Sequence, residues 1–428
     1  MDLTYEKQLR IRYDVDVLVC GGGPSGVAAA VSAARMGSRV LLVEQSGTFG
    51  GASMLCGVPE LMNFDDGLHF LSQGFGKKIF QGLGLQQQEK RQWHNLRPEL
   101  LKRLYDQLVL EAGVRPLLYT RLVDCVSREG KLEYVVLSGP EGIFAACAKV
   151  YVDATGSGSL CALAGAEFAY GDEAGNTMSA TLCSLWGGVN FAEKDTDGAN
   201  YEQAFADGVF SQYDSVLPGI KANFPEIGVG GGNIGHCFGV CDIDGESMTY
   251  ATLQARRTLA EYQRYYKEYV PGCENSCLIR SADYLGIRES RRICCEYMLN
   301  RDDFYRREPF FDEIGRYSYP VDIHPMQADK KGMADFSEAI RMRHADGESY
   351  SIPYRCLIPK HLSNVLVAGR ALGADRAMQA SIRVIPACYI TGQAAGAAAA
   401  LSAHKCCATK ELDIPALHNA LKLLCDES

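Results

Sequence analysis

The clearest hydrophobic pattern lies near the start of the chain. Residues 15–20, "VDVLVC", are apolar on both faces apart from Asp16, as in a parallel strand covered on each side. A run rich in Ala and other small residues over 24–36 predicts a helix, and 39–43 a second strand. Helical spacing returns in "LRPELLKRLYDQLVLEAGV". Three strand-like runs, 114–126, 132–137 and 143–152, then read as an antiparallel meander turned by "REGK" and "GPEG". The stretch 165–350 has no βαβ rhythm and carries more aromatic and charged residues. An apolar strand at 365–368 and a small-residue helix opening near Pro386 restore the first rhythm. The pattern predicts an α/β fold. Its Rossmann-type domain is discontinuous, 1–164 and 351–428, with an inserted α+β substrate domain at 165–350.

Between the first strand and helix stand Gly21, Gly23 and Gly26, at GxGxxG spacing. The first permits the tight turn, the second lets a pyrophosphate approach the backbone, and the third lets helix and strand pack closely. Pro24 suits a first helical turn, whose free N–H groups favour a phosphate. Glu44 ends the second strand, where an acid binds ribose hydroxyls and repels a 2′-phosphate. A lone GxGxxG is weak, but strand, glycines, helix, strand and acid occur here in order, and they predict a bound dinucleotide. A second match, Gly230, Gly232 and Gly235, has neither a preceding strand nor a following small-residue helix, and reads as a glycine-rich loop or irregular strand.

Composition narrows the class. The 428 residues are 47% hydrophobic with a net charge of −9, which disfavours broad nucleic-acid or anionic-membrane binding. The first residues lack the apolar core of a signal peptide, so a soluble, cytoplasmic protein is expected. The odd count of 17 cysteines suits reduced thiols better than a disulfide framework. Cys237/Cys241 and Cys273/Cys277, with His236, match no zinc or iron–sulfur spacing, and no metal is expected.

The stretches "GGGPSGVAAAVSAARMGSRVLLVE", "GTFGGASM", "VDATGSG", "YLGIRESRRI", "YSYPVDIH" and "YSIPYRCLIPKHLSNVLVAGR…SIRVIPACYITGQAAG" span most of the chain. On them the sequence resembles the FAD-dependent oxidoreductases with the two-part flavin domain of glutathione reductase and the fumarate reductase flavoprotein. The resemblance implies a bound FAD. It places Gly21, Gly23 and Gly26 at the pyrophosphate and Glu44 at the adenosine ribose. Gly51, Ala52 and Ser53 would follow the diphosphate and ribityl chain, and the backbone of Val123 would meet the adenine. Thr155 and Gly156 would line the cofactor, with Gly369, Arg370 and Asp375 near the diphosphate and ribityl chain. The final helix would begin near the isoalloxazine. No histidine follows the GG stretch, where fumarate reductases attach flavin covalently, so noncovalent FAD is expected. Cys56 is a less favoured attachment point.

Candidate chemistry clusters in "YLGIRESRRICC". As a helix it would set Arg288, Arg291 and Arg292 on one face, able to bind a carboxylate or phosphate; the plain alternative is structural ion pairs. His324, in "YPVDIHP", is a candidate acid or base, and Arg383 a candidate for holding substrate or balancing reduced flavin. Tyr354 and Arg355 either line the same pocket or pack a strand end. The expectation is hydride exchange between flavin N5 and a small, polar, anionic organic substrate at a C–C or C–OH centre. A further electron partner stays unknown and oligomerisation open. Two rivals remain: a non-catalytic scaffold on this fold, as in the Rab escort and GDP-dissociation inhibitor proteins, and a flavin-dependent tRNA-modifying enzyme.

Overall fold

The computed structural model of the chain describes residues 3–426 apart from 5, 88–90, 195–197, 199, 217 and 218. Strand β1 (Ile11–Cys20) leads through the glycine turn into helix α1 (Pro24–Arg35) and strand β2 (Val40–Val43). Helix α2 (Pro98–Glu111) returns the chain to β3 (Arg115–Leu117). The antiparallel run β4 (Arg121–Arg128), β5 (Lys131–Gly139) and β6 (Gly142–Asp153) follows. The sequence reading joined β3 and β4 into one strand. They are separate because the chain turns between them, where Tyr119 adopts φ 55°.

These strands form one sheet in the order β3-β2-β1-β6-β5-β4. Strand β6 changes partners along its length. Its first residues pair antiparallel with β5, while Tyr151 to Asp153 pair in parallel with β7 (Val365–Val367), which arrives from the far end of the sequence. After β7 come helix α3 (Arg376–Ile382), a bend of 96°, and helix α4 (Ile385–Lys405).

Helix α4 is buried along most of its length because it is made of small residues. Gly392 and Gly396 lie against the backbone of Ser25 and Ala29 in α1. A Cβ on either glycine would run into a main-chain carbonyl oxygen of that helix. The two helices therefore cross at backbone contact, and interiors packed to crystal-like density leave no slack for an added methyl. Among the described residues no single helix is long and apolar enough to cross a membrane.

A second, smaller core gathers side chains between Ala180 and Leu285 around Trp186 and the tyrosines of the helix Gly245–Tyr269. It includes a four-stranded antiparallel sheet, and the second glycine triplet contributes its strand Val229–Gly232. Apolar residues from Ile293 to Ile358 join the larger core instead. The expected insert thus feeds both cores.

Candidate active site

The parallel strands end level. Cys20 stands opposite Val43 and Asp153, and Asp153 opposite Val367. Their following loops make one edge, the place where open α/β sheets bind ligands. Gly21 adopts φ 100°, and its N–H donates to the Val43 carbonyl at 2.8 Å. A Cβ on Gly26 would collide with the Gly21 carbonyl oxygen, so this glycine lets α1 start directly on the turn. Gly23 is different. The nearest heavy atom to a Cβ there is Gly51 Cα at 4.0 Å. Open space thus meets the first turn of α1, whose N–H groups have no intrahelical acceptor.

Glu44 stitches this edge together. Its two carboxylate oxygens accept the N–H groups of Gly22 and Ser46, each at 2.8 Å; a ribose would use its remaining lone pairs. The Ser53 hydroxyl donates to the Gly50 carbonyl at 2.6 Å, so it serves its own turn. The Thr155 hydroxyl and N–H both donate to Asp153. Arg370 clamps two loops, donating to the carbonyls of Gly156 and Ile287. Gly369 N–H donates to the Thr391 hydroxyl of α4 at 3.2 Å. Val123 lies on edge strand β4 at a bulge between Leu122 and Asp124, with an exposed side chain. Asp375 caps α3 through Met378 N–H and takes Arg301 N–H, both at 2.8 Å.

Beside this edge is a cavity of about 190 Å³, walled by Ala52 and Arg370 from the nucleotide side and by Val384 and Ile385 from the start of α4. Arg288, His324, Asp322 and Arg383 also line it. The sequence reading of Arg288, Arg291 and Arg292 as one helical face is corrected here. Residues 287–291 form no helix, and the three arginines diverge. Arg291 reaches the Ser157 carbonyl at 3.1 Å, and Arg292 pairs with Glu289 at 2.6 Å. Only Arg288 enters the cavity.

Buried Glu289 explains the divergence. It also pairs with Arg376 at 3.0 Å and accepts Met178 N–H at 2.8 Å, so the loop is pinned immediately after Arg288. The Arg288 guanidinium donates to the Ser179 carbonyl, the Thr181 hydroxyl and the Asn233 side-chain oxygen at 2.8–3.0 Å. Burial and the neighbouring Arg383 bring it down to about 10, so it stays cationic at neutral pH. Arg383 donates to Asp322 at 2.8 Å, while its Nε–H is buried without an acceptor. An unsatisfied cationic donor beside a helix N-terminus fits an anionic ligand or the electron-rich edge of a flavin.

His324 stands between two partners. Its Nε2 lies 3.2 Å from Asp322 Oδ1, and its Nδ1 2.8 Å from His236 Nε2. His236 Nδ1 in turn meets Asp214 Oδ1 at 2.8 Å, and Asp214 Oδ2 accepts His236 N–H at 2.6 Å. Burial and Arg288 push His324 down to about 3, while the facing histidine and arginines hold Asp322 well below the usual carboxylate range despite its burial. A two-residue bridge assembles the group. Thr181 pairs with His236 on one side and with Gly286 on the other.

Sequence reasoning considered His236 only as a metal ligand and did not find Asp214 or Asp322. Their signal is faint, a single acid two residues before His324 and another 22 before His236, with no shared motif. Among the described residues no set of three or more His, Cys, Asp or Glu is arranged to hold a metal. Cys56 is a buried thiol pushed up to about 11 by burial and hydrogen-bonded to the Leu285 carbonyl. Tyr354 and Arg355 pack away from the cavity. Tyr354 donates to the Thr409 carbonyl, and Arg355 pairs with Asp312 at 2.9 Å.

Over residues 16–421 the sequence matches a model of the family described as FAD dependent oxidoreductase. Mitochondrial dihydrolipoyl dehydrogenase from Caenorhabditis elegans is 37% identical over 68 residues, 15% of this chain and 14% of that protein. The Macaca fascicularis protein of the same name is 34% identical over 88 residues, 21% and 16% of the two chains. The chain therefore spans only a small part of these curated relatives. Among solved structures, a geranylgeranyl bacteriochlorophyll reductase-like protein from Thermoplasma acidophilum superposes with a TM-score of 0.50. The identity is 13%, over 97% of this chain and 84% of that one. GidA from Aquifex aeolicus gives a TM-score of 0.52 and 14% identity, over 92% and 64%. At these identities the two structures speak for the fold alone.

Proposed function

The chain belongs to the FAD dependent oxidoreductase family, and from that premise we propose that it exchanges a hydride with a small, anionic organic substrate held in the Arg288–His324–Arg383 cavity. The observation that carries this reading is the meeting of Arg288, Arg383 and His324 in a single cavity beside the nucleotide edge, with Arg370 on the wall nearest that edge. Bound FAD supplies the two-electron chemistry through its ring.

Gly21, Gly23, Gly26 and Glu44 would hold the dinucleotide end, and Gly51, Ala52, Thr155, Gly156 and Arg370 the stretch towards the ring. The attachment is noncovalent in this reading. The open face of Gly23 and the start of α1 favour a pyrophosphate there. Arg288 and Arg383 bind the anionic group of the substrate, since a buried guanidinium makes charge-assisted, bidentate bonds. A cavity of about 190 Å³ lies below the range usual for drug-sized ligands, which favours a small substrate. His324 exchanges a proton at Nε2, the nitrogen whose contact with Asp322 is the longest in its chain of partners. Catalytic hydrogen bonds are often loose before substrate arrives.

The first test is the visible spectrum of the purified protein, then anaerobic reduction and challenge with small carboxylates and 2-hydroxy or 2,3-unsaturated acids. A flavin spectrum that bleaches or recovers with one of these acids is the expected result. A protein that stays colourless with added FAD would overturn the reading and favour the scaffold. A flavoprotein that responds only to neutral or cationic compounds would overturn the anionic substrate.

A further inference from the structure

A second cavity adjoins the first. Its volume is about 480 Å³, within the range that holds a small-molecule ligand. Val58, Pro59 and Cys183 border both cavities, so the two share a wall. Glu44, Arg288, His324 and Arg383 do not reach the second one. The shared wall is fastened from both sides. The Pro59 carbonyl accepts Leu96 N–H at 2.9 Å and the Asn223 side-chain N–H at 2.8 Å. The Asn223 side-chain oxygen accepts Gly231 N–H at 2.7 Å, and a Cβ on Gly231 would run into the Pro59 ring. The second glycine-rich stretch, which holds no nucleotide, thus lets Pro59 sit directly on its strand. The same stretch runs along both cavities, Gly231 lining the second and Asn233 the first.

Its walls are apolar and its border is cationic. Met54, Leu96 and Leu100 face it from the side of the larger core, and Leu185, Phe224 and Ala282 from the side of the smaller one. The charged residues around it are Arg97, Lys102, Arg103 and Arg280 against Glu99, a local excess of cations on a chain of net charge −9. Lys102 is paired with Glu99 at 2.7 Å, and Arg280 with Asp283. Arg97 and Arg103 meet no carboxylate among the described residues. The Arg97 guanidinium stands over the Phe224 ring, 5.9 Å from its centre. That contact fixes its charge at the cavity wall and uses none of its N–H donors.

We propose that this cavity is a second ligand site, which takes an organic carboxylate with an apolar body of about two fused rings. The body lies between Leu96 and Leu185, where leaving water drives its burial. The carboxylate meets Arg97, whose planar fork of donors matches it in charge and shape. The site differs from the hydride cavity in what it selects. There the cations are buried and the room is small; here the room is larger and apolar, and the charge stands at its border. The inference is independent of the hydride reading, because it asks only for occupancy and for no chemistry.

The test is calorimetric titration of the purified protein, with FAD added, using 2-naphthoate and its neutral analogue 2-naphthamide. The expected result is saturable binding of the acid about three- to fivefold tighter than the amide, a preference that fades at high salt. Arg97→Gln should bring the acid down to the affinity of the amide and leave the amide unchanged. Leu100→Trp, which fills the cavity from a half-buried helix position, should abolish both. Should that variant fail to fold, Ser281→Trp fills the cavity from the opposite side. Arg288→Gln should leave both probes binding. No binding of either probe, or equal affinity for the two, would overturn the proposal. So would naphthoate binding that survives the filled cavity and disappears in Arg288→Gln, since the ligand then sits in the hydride cavity. A barren substrate screen would refute the hydride reading and leave this site standing, whereas an active enzyme that ignores both probes refutes this inference only.

Discussion

Glu289 shows how one buried side chain can set the aim of another. It is 1% exposed and faces Arg292 and Arg376. Removing one partner from such a group strands charge in a medium that solvates it poorly, at a cost of about 3–5 kcal/mol. Glu289→Gln is expected to lower the denaturant midpoint accordingly and to weaken binding of anionic substrates more than it weakens FAD retention, because Arg288 loses its anchor. Equal loss of both would refute that division of labour. Asp16 offers a pH test. Hydrogen bonding by Arg39, with a contribution from Lys149, pulls this carboxyl far below its ordinary value despite burial. A depressed carboxyl stabilises fully above the unfolded value of about 4 and loses that contribution as pH falls towards the folded value. Urea midpoints of the native protein should therefore drop on acidification below about pH 4, and Asp16→Asn should flatten that limb. At this scale the glycine turn and Glu44 were legible, because covalent spacing alone sets their geometry. Asp214, His236 and Asp322 were not legible as a group. Their meeting depends on a bridge between Thr181, His236 and Gly286, which no local pattern records.

Elements whose periodicity is met by their own backbone were the readable ones. Strand β1 and helix α1 followed from an apolar run and a small-residue run, and β7 from "VLV" ahead of Gly369. The "RESRR" segment misled because spacing at i, i+3 and i+4 is a condition for a helical face and no proof of a helix. Its residues find partners far off in sequence, Ser157, Gly171 and Ser179 among them, and those contacts replace the ones a helix would make. The crossing of α1 and α4 gives the element-scale prediction. A leucine in place of Gly396 has no room against Ala29 and must push the helices apart, an overpacking cost of about 1–3 kcal/mol or more. Gly396→Leu should melt earlier and retain less FAD, since α1 starts on the glycine turn proposed to hold the pyrophosphate. Normal melting with full FAD content would show that the crossing is more pliant than its backbone contact implies.

For the molecule as a whole, the meeting of two cores at one cavity matters more than the size of either. The chain of the smaller core supplies Thr181, Cys183 and Asn233 to its wall, while that of the larger core supplies His324, Asp322 and Arg383. Alternation of strand and helix announced the larger unit; the smaller core, built from an aromatic helix and short antiparallel strands, had no periodic signature to announce it. Because FAD would bind the folded form through both the first and last segments of the chain, its removal should destabilise everything. Saturation at a hundred times the dissociation constant is worth about 2.7 kcal/mol. Stripped protein should melt lower and regain the difference on adding FAD; an unmoved melting point would mean that the nucleotide edge is rigid without its ligand and binds it weakly.

Strand β7 pairs with Tyr151, Val152 and Asp153, yet a ribosome delivers it roughly 210 residues later, about ten to forty seconds at ordinary rates of synthesis. Throughout that interval the emerging chain has its glycine turn and no finished sheet. The apolar edge of β6 stays open, and the bed of α1 is empty until α4 arrives. Cofactor capture is therefore a late event in the life of each molecule, and a chaperone that shields that edge would act on the first half of the protein while the second is still being made.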